Sequence, residues 1–181
     1  MTASLTVAHT CDLDAAALGA VRDLLDGSFG GRLDDDDWEH CLGGMHALLH
    51  EGPELVGHAS VVQRRLLHGG RALRAGYVEG VAVRPDRRRR GYATALMVAI
   101  HRVVRGGYDL GALSPTEEAV PLYAGLGWQI WRGPTRVLAP DGPRRTPDDD
   151  GGVLVLPAVP PAVPLDLDGD LACDWRDGDV W

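Results

Sequence analysis

Apolar residues follow two different spacings along the chain. Leu13, Ala17, Leu18, Val21, Leu24 and Leu25 recur every three or four positions, the spacing of one helical face. This predicts an amphipathic helix near residues 13–27, after a short strand around Leu5–Ala8. Asp12 is placed to cap that helix, and Gly27, Gly30 and Gly31 to break it. The run Asp34–Asp37 predicts the start of a second, short helix, because carboxylates favour a helix N-terminus.

From His46 the spacing shifts towards alternation. His46–His50, Leu55–Leu67 and Ala72–Val83 predict an antiparallel meander with turns at Gly52-Pro53 and Gly69-Gly70. A helix then carries Leu96, Ala99, Ile100, Val103 and Val104 on one face and stops at Gly106-Gly107. Tyr108–Leu113 predicts a strand. Ser114-Pro115-Thr116-Glu117 has the composition of a capped helix start, and Pro121 should bend the helix that follows. Further strands are expected at Gln129–Trp131, Thr135–Leu138 and Val153–Leu156, with an extended proline-rich connection over Pro157–Pro164. The order is α+β rather than strict β-α-β alternation.

The 181 residues suit one domain. A net charge of −8 argues against a protein that coats nucleic acid or anionic membrane with its whole surface. All 18 basic residues are arginine, which excludes a lysine nucleophile or Schiff base. The average hides a segregation: residues 60–110 carry +8 and the rest −16. A basic middle in an acidic frame suggests two partners of opposite charge.

Three widely spaced cysteines, Cys11, Cys41 and Cys173, indicate neither a disulfide framework nor a thiolate zinc site. His46 and His50 share a strand face without a metal-ligand pattern and read as structural. No signal peptide or membrane span is visible, so a reducing cytoplasm is the expected compartment.

Arg84–Thr94 joins an apolar strand to an apolar helix. The backbone N–H groups of such a turn, with the helix N-terminus, form an anion site. Gly91 admits a phosphate close to the backbone, and the arginines add bidentate donors. An arginine run alone is equally a solvated face or a nucleic-acid patch. Arg88-Arg89-Arg90-Gly91-Tyr92-Ala93 resembles the Arg/Gln-x-x-Gly-x-Gly/Ala signature of GNAT-type acetyltransferases. Leu122-Tyr123-Ala124-Gly125-Leu126-Gly127-Trp128 is similar to that superfamily's Leu-Tyr-x-x-x-Gly-Phe/Trp segment.

Further segments resemble the aminoglycoside 2′-N-acetyltransferases: Trp38-Glu39-His40, Leu42–Leu48, Gly76–Val83, Leu110–Ser114, Thr146–Gly151, Cys173–Arg176 and Gly178–Trp181. The resemblance covers nearly the whole chain. It implies a single GNAT acyl-CoA N-acyltransferase domain over residues 1–181, a mixed central sheet flanked by helices. A proline-rich, acidic extension from about residue 140 would contribute to the substrate site. It also implies a cytoplasmic, metal-free homodimer using acetyl-CoA, which transfers acetyl directly in a ternary complex and confers aminoglycoside resistance.

Two residues carry the expected chemistry. An aminoglycoside amine arrives protonated and attacks a thioester only after losing that proton, which Glu79 could accept directly or through water; a solvated strand end is the plainer reading of the same acid. Tyr123 reads from its pattern as a core aromatic, whereas the resemblance assigns it to the departing CoA thiolate. The resemblance places Val81, Ala82, Val83, Arg88, Arg89, Arg90, Gly91, Tyr92 and Ala93 against the cofactor. For the acceptor it singles out Asp37, Glu79, Gly80, Ser114, Asp148, Asp149, Asp179 and Trp181, the last for its α-carboxylate. Arg32 stands where related sequences can place an acid. The alternatives are another polyamine, amino-sugar or cell-wall acceptor, or a non-catalytic nucleic-acid binder.

Overall fold

The computed structural model describes residues 3–158 and 164–181, so Ala158 aside, the middle of the expected Pro157–Pro164 connection lies outside the described residues. The chain divides into two compact units: Met1–Val62 with Val78–Val103, and Gln63–Tyr77 with Val104–Trp181. The long strands of the meander run from one unit into the other.

In the first unit, β1 (Ala3–His9) pairs antiparallel with β2 (Met45–Glu51), from Ala3↔Glu51 to His9↔Met45. β2 pairs antiparallel in turn with β3 (Glu54–His68), and the register shifts between Leu49 and His50. Helix α1 spans Ala15–Phe29, two residues later at each end than its spacing predicts. Asp14 caps it, accepting from the Ala17 N–H at 2.8 Å, while Asp12 sits in a preceding 3-10 turn, Thr10–Asp12. Gly27 does not break the helix. Leu24 and Leu25 keep that turn packed, and the end falls at Gly30, whose φ of 67° is the left-handed C-cap conformation. Helix α2 (Asp35–His40) is capped by Asp34, as the acidic run predicts. Val21, Leu25, Cys41, Leu48 and Ala82 form the core here, with Leu13, Phe29, Leu33, Trp38 and Leu55 packed against it.

β4 (Arg71–Val83) closes the meander. Helix α3 (Tyr92–Gly107) buries Leu96, Met97, Ile100 and Val104, so Met97 joins a face on which Ala99 and Val103 are only half-buried.

The second unit adds β5 (Leu110–Leu113), α4 (Val120–Gly125), β6 (Gln129–Ile130), β7 (Thr135–Ala139), β8 (Gly142–Arg145), β9 (Leu154–Pro157) and β10 (Leu171–Asp174). Its strand order is β6-β9-β5-β4-β3-β10-β7-β8. β4 with β5 and β10 with β7 are parallel, and the sheet is mixed, as expected. The β4–β5 pairing covers only Ala75–Tyr77 against Leu110–Ala112. Ser114 does not cap a helix. A 3-10 turn, Glu117–Ala119, begins after Thr116, and α4 starts only at Val120. Pro121 therefore falls in the first turn of α4, where an N–H has no intrahelical partner, and it costs no hydrogen bond. β8 and β10 carry no apolar alternation long enough to announce them. Among the described residues no helix is long and apolar enough to cross a membrane.

One buried cation ties the last strand down. Arg64, 4% exposed, donates through Nε to the Asp174 carboxylate at 2.8 Å and through its terminal nitrogens to the Val180 and Asp174 carbonyls. Its guanidinium lies 4.7 Å from the centre of the Tyr77 ring. Removing it leaves the half-buried Asp174 carboxylate and the Asp174 and Val180 carbonyls without this donor. Arg64→Ala should lower unfolding free energy by about 3 kcal/mol in urea titration; a loss below about 0.5 kcal/mol would show the contact to be no more than a surface pair.

Candidate functional site

The arginine turn separates its charges. Arg84 pairs with Asp86 and Glu54. Arg87 and Arg90 pair with Glu51, at 3.0 and 3.2 Å, and the Tyr92 hydroxyl donates to the same carboxylate. Glu51 is buried, and the Tyr92 bond followed by the arginines holds its carboxyl below the usual range. Arg88 and Arg89 form no ion pair among the described residues; Arg88 donates to the Val83 carbonyl at 3.3 Å. The backbone is left-handed at Arg89 (φ 61°) and Gly91 (φ 78°). The first turn of α3 follows immediately, and its leading N–H groups lack intrahelical partners. Two unneutralised guanidinium groups, a turn of this shape and a long helix N-terminus suit an anion of several charges. Ala93 adds no bulk there.

Glu79 lies at the half-buried stretch Glu79–Val81 that follows the buried Tyr77 and Val78. Simple alternation fails beside it. Gly80 has φ 56°, and a Cβ there would stand 2.7 Å from Cys41 Sγ, so only glycine suits the position. Two side chains from β3 hold the kink: Ser60 Oγ donates to the Glu79 carbonyl at 3.2 Å, and His58 Nδ1 meets the Gly80 carbonyl at 2.7 Å. Behind His58 stands His46, at 2.9 Å, and behind His46 the Thr10 hydroxyl, at 2.8 Å. Val81, Ala82 and Val83 continue β4 beyond its pairing with β5. Asp37, on α2, completes a reciprocal cap with Asp34. The exposed Arg32 donates to the Phe29 carbonyl.

In the second unit, Tyr123 is buried on α4 with its ring edge-on to Trp128 at 6.0 Å. Burial pushes its hydroxyl up to about 12, so the phenol keeps its proton at neutral pH. Ser114 is exposed at the end of β5. The acids after Pro147 divide as the arginines do. Asp150 is consumed by Arg145, at 2.7 Å, and by Thr135, and its carboxyl is held well below the usual range. Asp148, Asp149 and Asp179 form no ion pair among the described residues. Burial and then the neighbouring Asp179 raise the Asp149 carboxyl, which places these two acids in one field. The Trp181 indole is buried and donates to Thr146 at 2.9 Å, while Arg176 engages the Trp181 main-chain oxygen. Trp181 thus anchors the last residues.

Sequence reasoning missed Glu51, Ser60, Arg64 and the histidine chain. Only the polar residues at buried alternating positions of β2 and β3 hinted at them. Cys41 and Cys173 are buried, and burial pushes the Cys173 thiol up to about 11, a poor nucleophile.

A mixed sheet with an arginine-rich turn opening a long helix is the acyl-CoA N-acyltransferase type of fold. A family model described as "Acetyltransferase (GNAT) domain" matches residues 13–131. Among solved structures, the ribosomal-protein-S18-alanine N-acetyltransferase from Escherichia coli superposes with a TM-score of 0.59 at 18% identity, over 85% of this chain and 94% of that one. A GCN5-related N-acetyltransferase from Kribbella flavida gives 0.58 at 26% identity, over 74% of this chain and 34% of that one. The chain spans about a third of the length of that structure, and of Eis1 from Mycobacterium abscessus, which gives 0.61 at 21% identity over 75% of this chain and 33% of that one. An "Aminoglycoside 2′-N-acetyltransferase" of Mycolicibacterium fortuitum is 52% identical over 96% of this chain and 89% of its own. The chain belongs to the GNAT acetyltransferases and, within them, to the family of the aminoglycoside 2′-N-acetyltransferases.

The buried histidines set a pH dependence of stability. Burial holds His46 down to about 4 and His58 to about 3, so both are neutral in the fold. The unfolded chain takes up protons near pH 6.5, before the folded chain does. Stability is therefore present above pH 6.5 and is lost as pH falls towards 4. Urea unfolding should show a loss of about 3 kcal/mol between pH 7 and pH 5; a level profile over that range would contradict neutral buried imidazoles.

Proposed function

We propose that the protein transfers an acetyl group from acetyl-CoA to the 2′-amine of aminoglycosides, directly, in a ternary complex. The observation that carries this reading is the 52% identity, over 96% of the chain, to an aminoglycoside 2′-N-acetyltransferase. The sorting of charges supports it. Among the described residues, Arg88 and Arg89 are the turn's cations without an ion pair, suited to a pyrophosphate, and Asp148, Asp149 and Asp179 are acids without one, suited to a polyamine. Acetyl-CoA would supply the acetyl group as a thioester. Arg88, Arg89, Gly91, Ala93 and the start of α3 would hold its phosphates, with Arg90 and Tyr92 shaping the turn through Glu51. The main chain of Val81–Val83 would hold the arm that carries the thioester.

Glu79 takes the proton from the acceptor ammonium, directly or through water, which frees the amine lone pair to attack the thioester carbonyl. As the carbon–sulfur bond breaks, Tyr123 gives its proton to the leaving sulfur, a role that its protonated state at neutral pH fits, and the second proton shed by the attacking nitrogen as the amide forms restores the phenol. Asp37, Asp148, Asp149 and Asp179, with Ser114, Gly80 and Trp181, hold the acceptor's remaining amines and hydroxyls. In this reading residues 1–181 act as one catalytic domain, and the acidic extension from about 140 supplies much of the acceptor site. Resistance to aminoglycosides, a cytoplasmic setting and a homodimeric state accompany it.

Thiol release should be rapid with an aminoglycoside bearing a 2′-amine and absent with its 2′-hydroxyl counterpart. Equal turnover of both would refute the regiochemistry, and turnover of neither would move the acceptor to another amine. Glu79→Gln should lower kcat about a hundredfold with little change in acetyl-CoA KM. Tyr123→Phe should lower it about tenfold; unchanged kinetics in that variant would remove the acid role.

A further inference from the structure

The hydrogen bonds behind Gly80 have a fixed direction. The Gly80 carbonyl can only accept, so His58 Nδ1 carries a proton and donates to it at 2.7 Å. A neutral His58 then has a bare Nε2, which accepts from His46 Nδ1 at 2.9 Å. His46 Nε2 is bare in turn and accepts from the Thr10 hydroxyl at 2.8 Å. The Thr10 oxygen itself receives the N–H groups of Gly43 and Gly44, at 2.9 and 3.2 Å. Every tautomer follows from the one carbonyl at the end of the chain. His46, His58 and Ser60 are all fully buried.

Such a chain is an expensive way to fill a core. Two aliphatic side chains would pack the same space without desolvating four ring nitrogens. What the polar version does is hold one carbonyl. Gly80 is left-handed, so its carbonyl is turned out of the normal strand direction, and the residue just before it is Glu79. Ser60 holds the Glu79 carbonyl from the same strand. Ser60 thereby fixes the Glu79–Gly80 peptide plane, and His58 fixes the next plane, across the left-handed Gly80 Cα. The direction of the Glu79 Cα–Cβ bond depends on the first of these planes directly and on the second through the Gly80 backbone.

We propose that Thr10, His46, His58 and Ser60 are positioning residues for Glu79, with His58 as the member that clamps the Gly80 carbonyl. Through that clamp the carboxylate keeps the aim needed to take the acceptor's proton, and a misplacement of about 1 Å at such a group costs rate heavily. The inference rests on the role given to Glu79 above.

A double-mutant cycle separates the two claims. His58→Leu removes the clamp, His58→Asn returns a donor near the Nδ1 position, and each is combined with Glu79→Gln. Thr10→Val, at the outer, half-buried end, tests the chain at the member farthest from Gly80. For each variant, kcat and both KM values are measured on the folded fraction fixed by thermal melts. His58→Leu should lower kcat about thirtyfold with acetyl-CoA KM within about twofold, and His58→Asn should recover most of the loss. Thr10→Val should lower kcat about threefold. In the Glu79→Gln background, His58→Leu should add less than about twofold, because the group it positions is already gone.

Should Glu79→Gln keep full kcat, the role of Glu79 falls and the positioning claim with it. A slow Glu79→Gln beside losses from His58→Leu that multiply fully with it would overturn the positioning claim alone. If His58→Leu does not fold, Thr10→Val in the same cycle decides: kcat unchanged, or a loss unaffected by Glu79→Gln, overturns the proposal.

Discussion

The structure turns on one carbonyl. Gly80 breaks the alternation of β4 in the left-handed region, where a side chain would strike Cys41, and its carbonyl is received by a buried imidazole from β3. Around that point the first unit assembles its parts. Cys41 and Ala82 lie in the core that α1 and β2 complete. Glu79 precedes the kink, Val81–Val83 follow it, and the arginine turn comes next in the chain. A regular strand would put Glu79 and Val81 on the same face; the kink frees each from that constraint.

Charge pairing does for ligands what the kink does for geometry. In the arginine turn, Arg84, Arg87 and Arg90 are tied to Glu51, Glu54 and Asp86, which shapes the loop, whereas Arg88 and Arg89 form no ion pair among the described residues. In the acidic segment, Asp150 is spent on Arg145 and Thr135, which fixes the turn after Pro147, whereas Asp148 and Asp149 form no ion pair among the described residues. The net charge of −8 conceals this twofold division. Partly buried ion pairs of this kind gain little energy. Their use is to decide which charges remain open.

Much of the fold was legible from spacing. The meander of β2, β3 and β4, with its two glycine turns, and the extent of α3 follow the pattern, because apolar β-favouring runs bounded by glycine turns, and a long helical periodicity, mark them. The failures are local. Asp12 and Asp14 are both capping types two residues apart, and only the hydrogen bond to Ala17 distinguishes them. Ser114-Pro115-Thr116-Glu117 has the right letters for a cap, but the chain spends them on an exposed turn and starts α4 later. β8 and β10 owe their extended form to neighbouring strands rather than to their own residues. The family was legible through the motifs of the arginine turn and of the Leu122–Trp128 segment. The histidine chain was not, because a buried polar residue on a strand carries no sequence mark of the carbonyl it serves.

The most direct test of the Gly80 clamp is a side chain at position 80 itself. Gly80→Ala, with turnover measured on the folded enzyme and acetyl-CoA affinity measured by calorimetry, should lose at least about tenfold in kcat, while the cofactor dissociation constant moves less than about threefold. The strained φ and the contact with Cys41 would then have displaced Glu79 and spared the arginine turn. A Gly80→Ala enzyme that folds and turns over at the wild-type rate would contradict the account, because the kink on which the placement of Glu79 depends would have proved dispensable.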